Sequence, residues 1–266
     1  MVLETNPTGT SWLPIIAIVV IPLIFVCGFL APAGWNWALV MFFMIVFVIS
    51  LGKLKTESYF GIFINERKKM SLSRFQLVIW TLIVLSAFLT IALYNISAKI
   101  ANPLEITIPP QLWYLLGIST TSLVGSPLVL STKRKKTPIE EEVILFQERK
   151  GITAKTITTE ITDNVTRFGT LDFNLKIEDA KFADMFMGDE IGNSGSIDMA
   201  KVQKFFFTLI IAFSYMLLLL NLIMNADSTG LSSFPALDDS LVALLGISSA
   251  GYLTNKTYDK TKTKKP

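Results

Sequence analysis

The chain has 266 residues, of which 51% are hydrophobic and 17% charged, with 24 Lys and Arg, 21 Asp and Glu and no His. Charged residues are scarcer than in soluble domains and the mean hydropathy is +0.52, so the composition predicts a membrane protein. The absence of His excludes a His-based hydrolase and the usual zinc enzymes, and the single cysteine, Cys27, excludes an intramolecular disulfide. We therefore expect that the protein is not an enzyme and that it has no catalytic residue, metal or cofactor.

Six apolar runs predict transmembrane helices, because about 20 residues of helix cross roughly 30 Å of hydrocarbon. In chain order they cover residues 12–30, 35–51, 75–94, 111–130, 205–223 and 237–253. The fourth and sixth runs are less apolar and richer in Gly, Ser and Thr. The predicted fold class is an all-α transmembrane helical bundle of six spans with a small cytoplasmic β-rich insertion.

Basic residues predict the orientation of these spans, since cytoplasmic loops carry the excess of Lys and Arg. With alternating spans, 23 of the 24 basic residues fall on one side, and Lys99 is the exception. Both termini are therefore expected in the cytoplasm. No charged residue lies deep within a predicted span, which argues against a proton relay or a voltage sensor.

The predicted domains follow from these spans. They are a transmembrane hairpin at 1–52, a basic cytoplasmic loop at 53–74, a first repeat hairpin at 75–131, a cytoplasmic β-rich insertion with an interfacial helix at 132–197, a second repeat hairpin at 198–255 and a basic cytoplasmic tail at 256–266.

An internal sequence match underlies the two repeat hairpins. Residues 71–76 and 80–83 match 198–203 and 207–210 at an offset of 127 residues, and residues 115–119 match 244–248 at an offset of 129. Both copies leave the cytoplasm and return to it, so they are predicted to be parallel repeats. This arrangement favours a ring or bundle over an alternating-access transporter.

The second helix of each hairpin carries small and hydroxyl residues. Spacing of small residues by four lets helix backbones approach closely, and hydroxyls can then bond across the contact. The same residues are also typical of a narrow neutral pore. The candidates for helix packing or pore lining are Gly117, Ser119, Thr120, Thr121, Gly125, Gly246, Ser248, Ser249 and Ala250.

Polar residues beside the spans are candidates for membrane-interface anchors, with Ser71 and Asp198 as predicted helix N-caps. The alternative role is a lipid-phosphate or partner site. The anchors are Arg74, Gln76, Lys201, Gln203, Lys133, Arg134, Lys135 and Lys136.

The insertion between the repeat hairpins is predicted to contain β-strands. Alternation of apolar and polar residues over 152–161 and 165–177 is typical of two or three strands. Residues 182–193 are predicted to form a short amphipathic interfacial helix and a Gly-rich turn. The oxygen-bearing side chains from Asp189 onward do not follow the EF-hand register, so no metal is assigned to them.

Together, residues 71–76, Trp80, Thr81, 115–119, 183–193 and 244–248 resemble a family of prokaryotic multi-pass membrane proteins that has no established activity. The resemblance covers about residues 57–255 and implies a prokaryotic cytoplasmic (inner) membrane. It assigns no function to any residue.

Two functions are left open. The first is a homo-oligomeric channel or pore-like assembly with a cytoplasmic regulatory element. The second is a non-conducting membrane scaffold that recruits a soluble cytoplasmic partner. The expected partners are the lipid bilayer with its anionic headgroups and further copies of the chain; no nucleic acid is expected.

Overall fold

A computed structural model describes residues 12–152, 158–227 and 229–264. Eight α-helices occur in these ranges, joined by loops and short 3₁₀ turns. They are α1 (Trp12–Leu30), α2 (Trp35–Thr56), α3 (Leu72–Ser97), α4 (Pro110–Ser131), α5 (Glu140–Arg149), α6 (Thr159–Phe168), α7 (Met199–Met224) and α8 (Asp239–Asn255).

Five helices in the described ranges are long and apolar enough to cross a membrane: α1, α2, α3, α7, and α4 with its 3₁₀ continuation. The prediction of six spans is therefore not confirmed. The predicted sixth span corresponds to α8, which has only 17 residues. It begins at Asp239, where the Asp238 side chain caps its first turn by accepting a hydrogen bond of 2.8 Å from the Ser240 backbone N–H.

The predicted β-rich insertion is wrong: between Thr132 and Asp198 the described residues form helices and isolated bridges, not strands. Residues 153–157 of the first predicted strand lie outside the described residues. The physical reason is the spacing of Ile161, Val165 and Phe168, which share one face of a helix. Thr158 starts that helix, α6, by accepting a hydrogen bond from the Ile161 N–H. The predicted interfacial helix at 182–193 is two 3₁₀ turns, Phe182–Met185 and Ile191–Asn193.

The described chain divides into two compact units. The first contains the described residues of Met1–Ile62, Val78–Trp113 and Ala212–Leu237. In it, α1 and α2 form a hairpin whose contact includes Val20, Ile24 and Val40. The indole N–H of buried Trp37 donates a hydrogen bond of 2.9 Å to the Ser86 hydroxyl, which joins α2 to α3 through a specific polar contact.

The second unit contains the described residues of Phe63–Leu77, Tyr114–Ile211 and Asp238–Pro266. Between α4 and α7 it has an aromatic core in which Phe146 and Phe168 pack on Phe173, with ring centroids 5.1 and 5.8 Å from that of Phe173. A second cluster places Phe205 at the start of α7 against Phe75 and Phe186. The insertion thus has a helical core where a sheet was expected.

The matched sequences of α4 and α8 lie on matched faces only in part. Buried positions on α4 include 112, 115, 119 and 122, and at an offset of 130 residues positions 242, 245, 249 and 252 on α8 are buried too. Ser119 and its sequence match Ser248 are both buried. The sequence match has an offset one residue shorter, so Leu115 is fully buried while its counterpart Leu244 is 45% exposed. One residue turns a helix by roughly 100°. The internal repeat stays a prediction.

Gly169 is the C-terminal cap of α6, and its substitution tests how this helix ends. Its φ is +62°, and a Cβ there would lie 2.4 Å from the Lys133 carbonyl oxygen. We expect Gly169→Ala to lower the free energy of unfolding by about 2 kcal/mol or more, from backbone strain plus this clash. The thermal unfolding midpoint in detergent measures the effect.

Gly151→Ala is the matched control, because Gly151 has φ +69° but nothing within 4 Å of the added Cβ. Strain alone should cost about 1 kcal/mol there. Equal losses in the two variants would contradict the close approach at Gly169.

Candidate functional site

Asp189 is the centre of a buried charge cluster in the second unit. Its Oδ1 lies 2.9 Å from Arg67 Nη2, and its Oδ2 lies 2.9 Å from Lys201 Nζ and also contacts Lys256 Nζ. Burial alone would raise the pKa of this carboxyl, but the three cations hold its pKa well below the usual range. We call these four residues the Asp189 cluster.

The Asp189 cluster joins four segments that are distant in sequence. Arg67 comes from the turn before α3, where its backbone N–H donates to Asn65 Oδ1 at 2.9 Å. Lys201 lies in the first turn of α7 and Lys256 at the C-terminal cap of α8. Asp189 belongs to the insertion. The insertion is therefore bound directly to the ends of two long helices and to the loop before a third.

Two neighbouring carboxylates are also buried with cations. Asp172 pairs with Lys69 and lies 2.9 Å from Lys150 Nζ. Glu190 pairs with Lys133, whose Nζ also donates to the Tyr258 carbonyl oxygen in the C-terminal tail. Such pairs need close partners, because an isolated buried charge is strongly destabilising.

Lys204 lies beside the Asp189 cluster and differs from its other cations. It is fully buried, and its Nζ has no hydrogen-bond partner among the described residues. The Nζ lies 4.1 Å from the centroid of the Tyr252 ring, and Lys256 Nζ lies 4.6 Å from the same centroid. The Tyr252 hydroxyl lies 3.1 Å from the Ser73 hydroxyl and 3.4 Å from the Ser126 hydroxyl. Tyr252 thus links α3, α4, α7 and α8.

About one helical turn from these contacts lies a set of further buried polar side chains. Gln76 follows Ser73 on α3, Ser122 precedes Ser126 on α4, and Ser248 precedes Tyr252 on α8. Their polar atoms and those of Ser249 and Lys204 make no hydrogen bond within the described ranges. We call Gln76, Ser122, Lys204, Ser248 and Ser249 the buried polar layer; each is at most 5% exposed.

The predicted packing or pore residues divide between two environments. Ser119, Ser248 and Ser249 are buried inside the second unit, while Gly125 and Gly246 are half-buried. The exposed members are Gly117, Thr120, Thr121 and Ala250. The set therefore does not form one continuous face.

The predicted anchors also divide. Lys133, Lys201 and Gln76 are buried, whereas Gln203 and Lys135 are exposed. Half-buried Arg74 donates a hydrogen bond of 2.8 Å to the Ile64 carbonyl oxygen. Arg134 pairs with Glu66, and Lys136 pairs with Asp259. The N-cap at Asp198 is confirmed, because its Oδ1 accepts a hydrogen bond of 3.0 Å from the Ala200 N–H.

Sequence reasoning missed Lys204, because the predicted span began one residue later. The structure places Lys204 inside α7, which is one of the five apolar helices, one residue before the predicted span begins. A signal was present: Lys201, Lys204, Thr208, Ile211 and Tyr215 recur at helical spacing, and all are buried.

Comparisons with protein-family models, curated proteins and solved structures find no match to this chain. The family resemblance given above therefore rests on sequence motifs alone.

The Asp189 cluster predicts a large stability effect. Asp189→Asn removes the charge shared by Arg67, Lys201 and Lys256, and should lower the free energy of unfolding by about 3–5 kcal/mol. Glu66→Gln, at the more exposed pair with Arg134, is the control and should cost about 1 kcal/mol or less. Thermal unfolding in detergent compares them. A similar loss in both variants would contradict the central role of Asp189.

Asp189 also predicts a pH dependence. Since its native pKa is depressed below the unfolded value of about 3.9, its stabilising contribution is complete above about pH 5 and is lost as the pH falls. The difference in unfolding midpoint between wild type and Asp189→Asn should be constant from pH 7 to about 5 and shrink below about 4. Unfolding scans over this range measure it. An unchanged difference in acid would contradict the depressed pKa.

Proposed function

We propose that the protein is a homo-oligomeric membrane channel in which the outward face of α4 meets further copies of the chain. The main observation in support of this proposal is that α4 combines a low mean hydropathy with exposed threonine hydroxyls. Its mean hydropathy is 1.3, against 2.3 to 2.9 for the other four candidate spans. Lipid offers no partner for such a face, whereas protein or water does.

The outward face of α4 is also sterically suited to close approach. A Cβ at Gly117 would have nothing within 4 Å, and Thr121, one turn later, is exposed. The exposed Thr120 hydroxyl donates to the Leu116 carbonyl oxygen at 2.9 Å, which leaves its lone pairs available as acceptors. Around a symmetry axis, the same face of each copy would contribute small residues and hydroxyl oxygens.

The second unit supports a regulatory element on the cytoplasmic side. The basic loop before α3, the insertion and the C-terminal tail contact one another in this unit, and they hold most of the Lys and Arg. The positive-inside tendency favours the cytoplasm for them and for both termini. The sequence resemblance favours a prokaryotic inner membrane. Because the Asp189 cluster binds the insertion to α7 and α8, movement of the insertion would act directly on these helices.

A non-conducting scaffold is the second candidate. Ser119, Ser248 and Ser249 favour it, because they are buried within the second unit. Their hydroxyls are then available for packing and not for a pore formed between copies. In this case the cytoplasmic surface would recruit a soluble partner.

Cysteine chemistry separates the two candidates. Since Cys27 is the single native cysteine, Cys27→Ala gives a cysteine-free background. In that background we expect Thr121→Cys to form a disulfide between copies on oxidation. When reduced and reconstituted in liposomes, it should conduct ions, and a charged thiol reagent should block the flux.

Ser119→Cys is the matched control, because its position is buried on the same helix. It should neither cross-link copies nor respond to the reagent. Cross-linking of Thr121→Cys without any flux would favour the scaffold. No cross-linking at Thr121 would contradict assembly through this face.

A further inference from the structure

We propose that the buried polar layer binds a small monovalent anion, of which chloride is the probe we would use. The site is formed by Lys204 together with Gln76, Ser122, Ser248 and Ser249. It lies within the second unit of one chain, so it does not depend on whether the protein conducts ions.

The first support is an imbalance of buried charge. Arg67, Lys201 and Lys256 share the single carboxylate Asp189, and Lys204 adds a fourth cation with no carboxylate of its own in the described part of the chain. Lys204 and Lys256 both contact the Tyr252 ring, but the ring supplies no full negative charge. A bound anion would compensate the excess positive charge.

The second support is a set of buried donors on α3, α4 and α8, about one helical turn from the contacts of Tyr252. The hydroxyls of Ser122, Ser248 and Ser249 and the Nε2 group of Gln76 are buried and make no hydrogen bond within the described ranges. Buried polar groups normally have partners, because leaving one unsatisfied is destabilising. These groups come from three helices, and Lys204 comes from a fourth. An anion can accept hydrogen bonds from several such donors at once.

The chemistry of the layer favours a small anion. A metal cation would be repelled by Lys204 and would find no carboxylate among the layer residues. A phosphate or lipid headgroup is best bound by bidentate Arg donors, and the layer has none. All five side chains are nearly or completely buried, so the ligand must lose its hydration shell. Chloride meets these conditions with a single charge.

The test follows the unfolding midpoint of the purified full chain as chloride replaces gluconate at constant ionic strength. We expect a saturable rise for wild type, because a ligand that binds the folded state stabilises it. Lys204→Met should abolish the rise. Lys262→Met removes the same charge at an exposed position and should retain it. Broadening of the chloride NMR line by wild type, absent with Lys204→Met, would report binding directly.

Ser248→Ala keeps the inference testable if Lys204→Met folds poorly. Losing one donor to the anion should raise the chloride concentration at half-effect by roughly tenfold. A chloride response that persists unchanged in Lys204→Met or Ser248→Ala would overturn the proposal. So would the absence of any response in wild type, or stabilisation by phosphate in its place.

Discussion

Burying Asp189 with three cations constrains the second unit more than any other interaction. Each charge loses its hydration, and the loss is offset only if every partner stays within ion-pair distance. Arg67, Lys201 and Lys256 come from different parts of the chain, so the turn before α3, the start of α7 and the end of α8 must all meet the insertion. The pairs at Asp172 and Glu190 extend the same requirement to Lys69 and Lys133. The position of the insertion follows from electrostatics as much as from its aromatic core.

In this unit, the helix face on which a polar residue lies decides whether the residue is buried or can contact another molecule. Ser119 is buried while Thr120 and Thr121 are exposed, although the three are neighbours on α4. Ser119 donates a hydrogen bond to the Leu115 carbonyl oxygen inside the unit, whereas the exposed threonines are available to another molecule. The two proposals therefore use different residues: assembly uses the outward face of α4, and anion binding uses the buried polar layer.

The long apolar helices were predictable because hydropathy is a local property of the sequence. Predicted spans 12–30 and 205–223 correspond to α1 and most of α7. The insertion was not predictable in the same way, since the apolar residues at 171, 173, 175 and 177 alternate as in a strand, whereas those at 161, 165 and 168 have helical spacing. The hydroxyl cap at Thr158 accompanies the helical outcome. Lys204 was missed because a span boundary drawn from hydropathy excludes a charged residue, whereas its buried position depends on the helices around it.

Composition and apolar run length determined by themselves that the chain carries helices long and apolar enough to span a membrane, because transfer of apolar surface into lipid depends on local side chains. The N-cap at Asp198 was also a local matter of one side chain and the next backbone N–H groups. Tertiary structure decided which cations meet Asp189, which serines are buried and that some matched residues on α4 and α8 face different surroundings. These outcomes depend on contacts between residues as far apart as 67 and 189. Because ion pairing and helix rotation involve the whole unit, a local sequence pattern does not determine them.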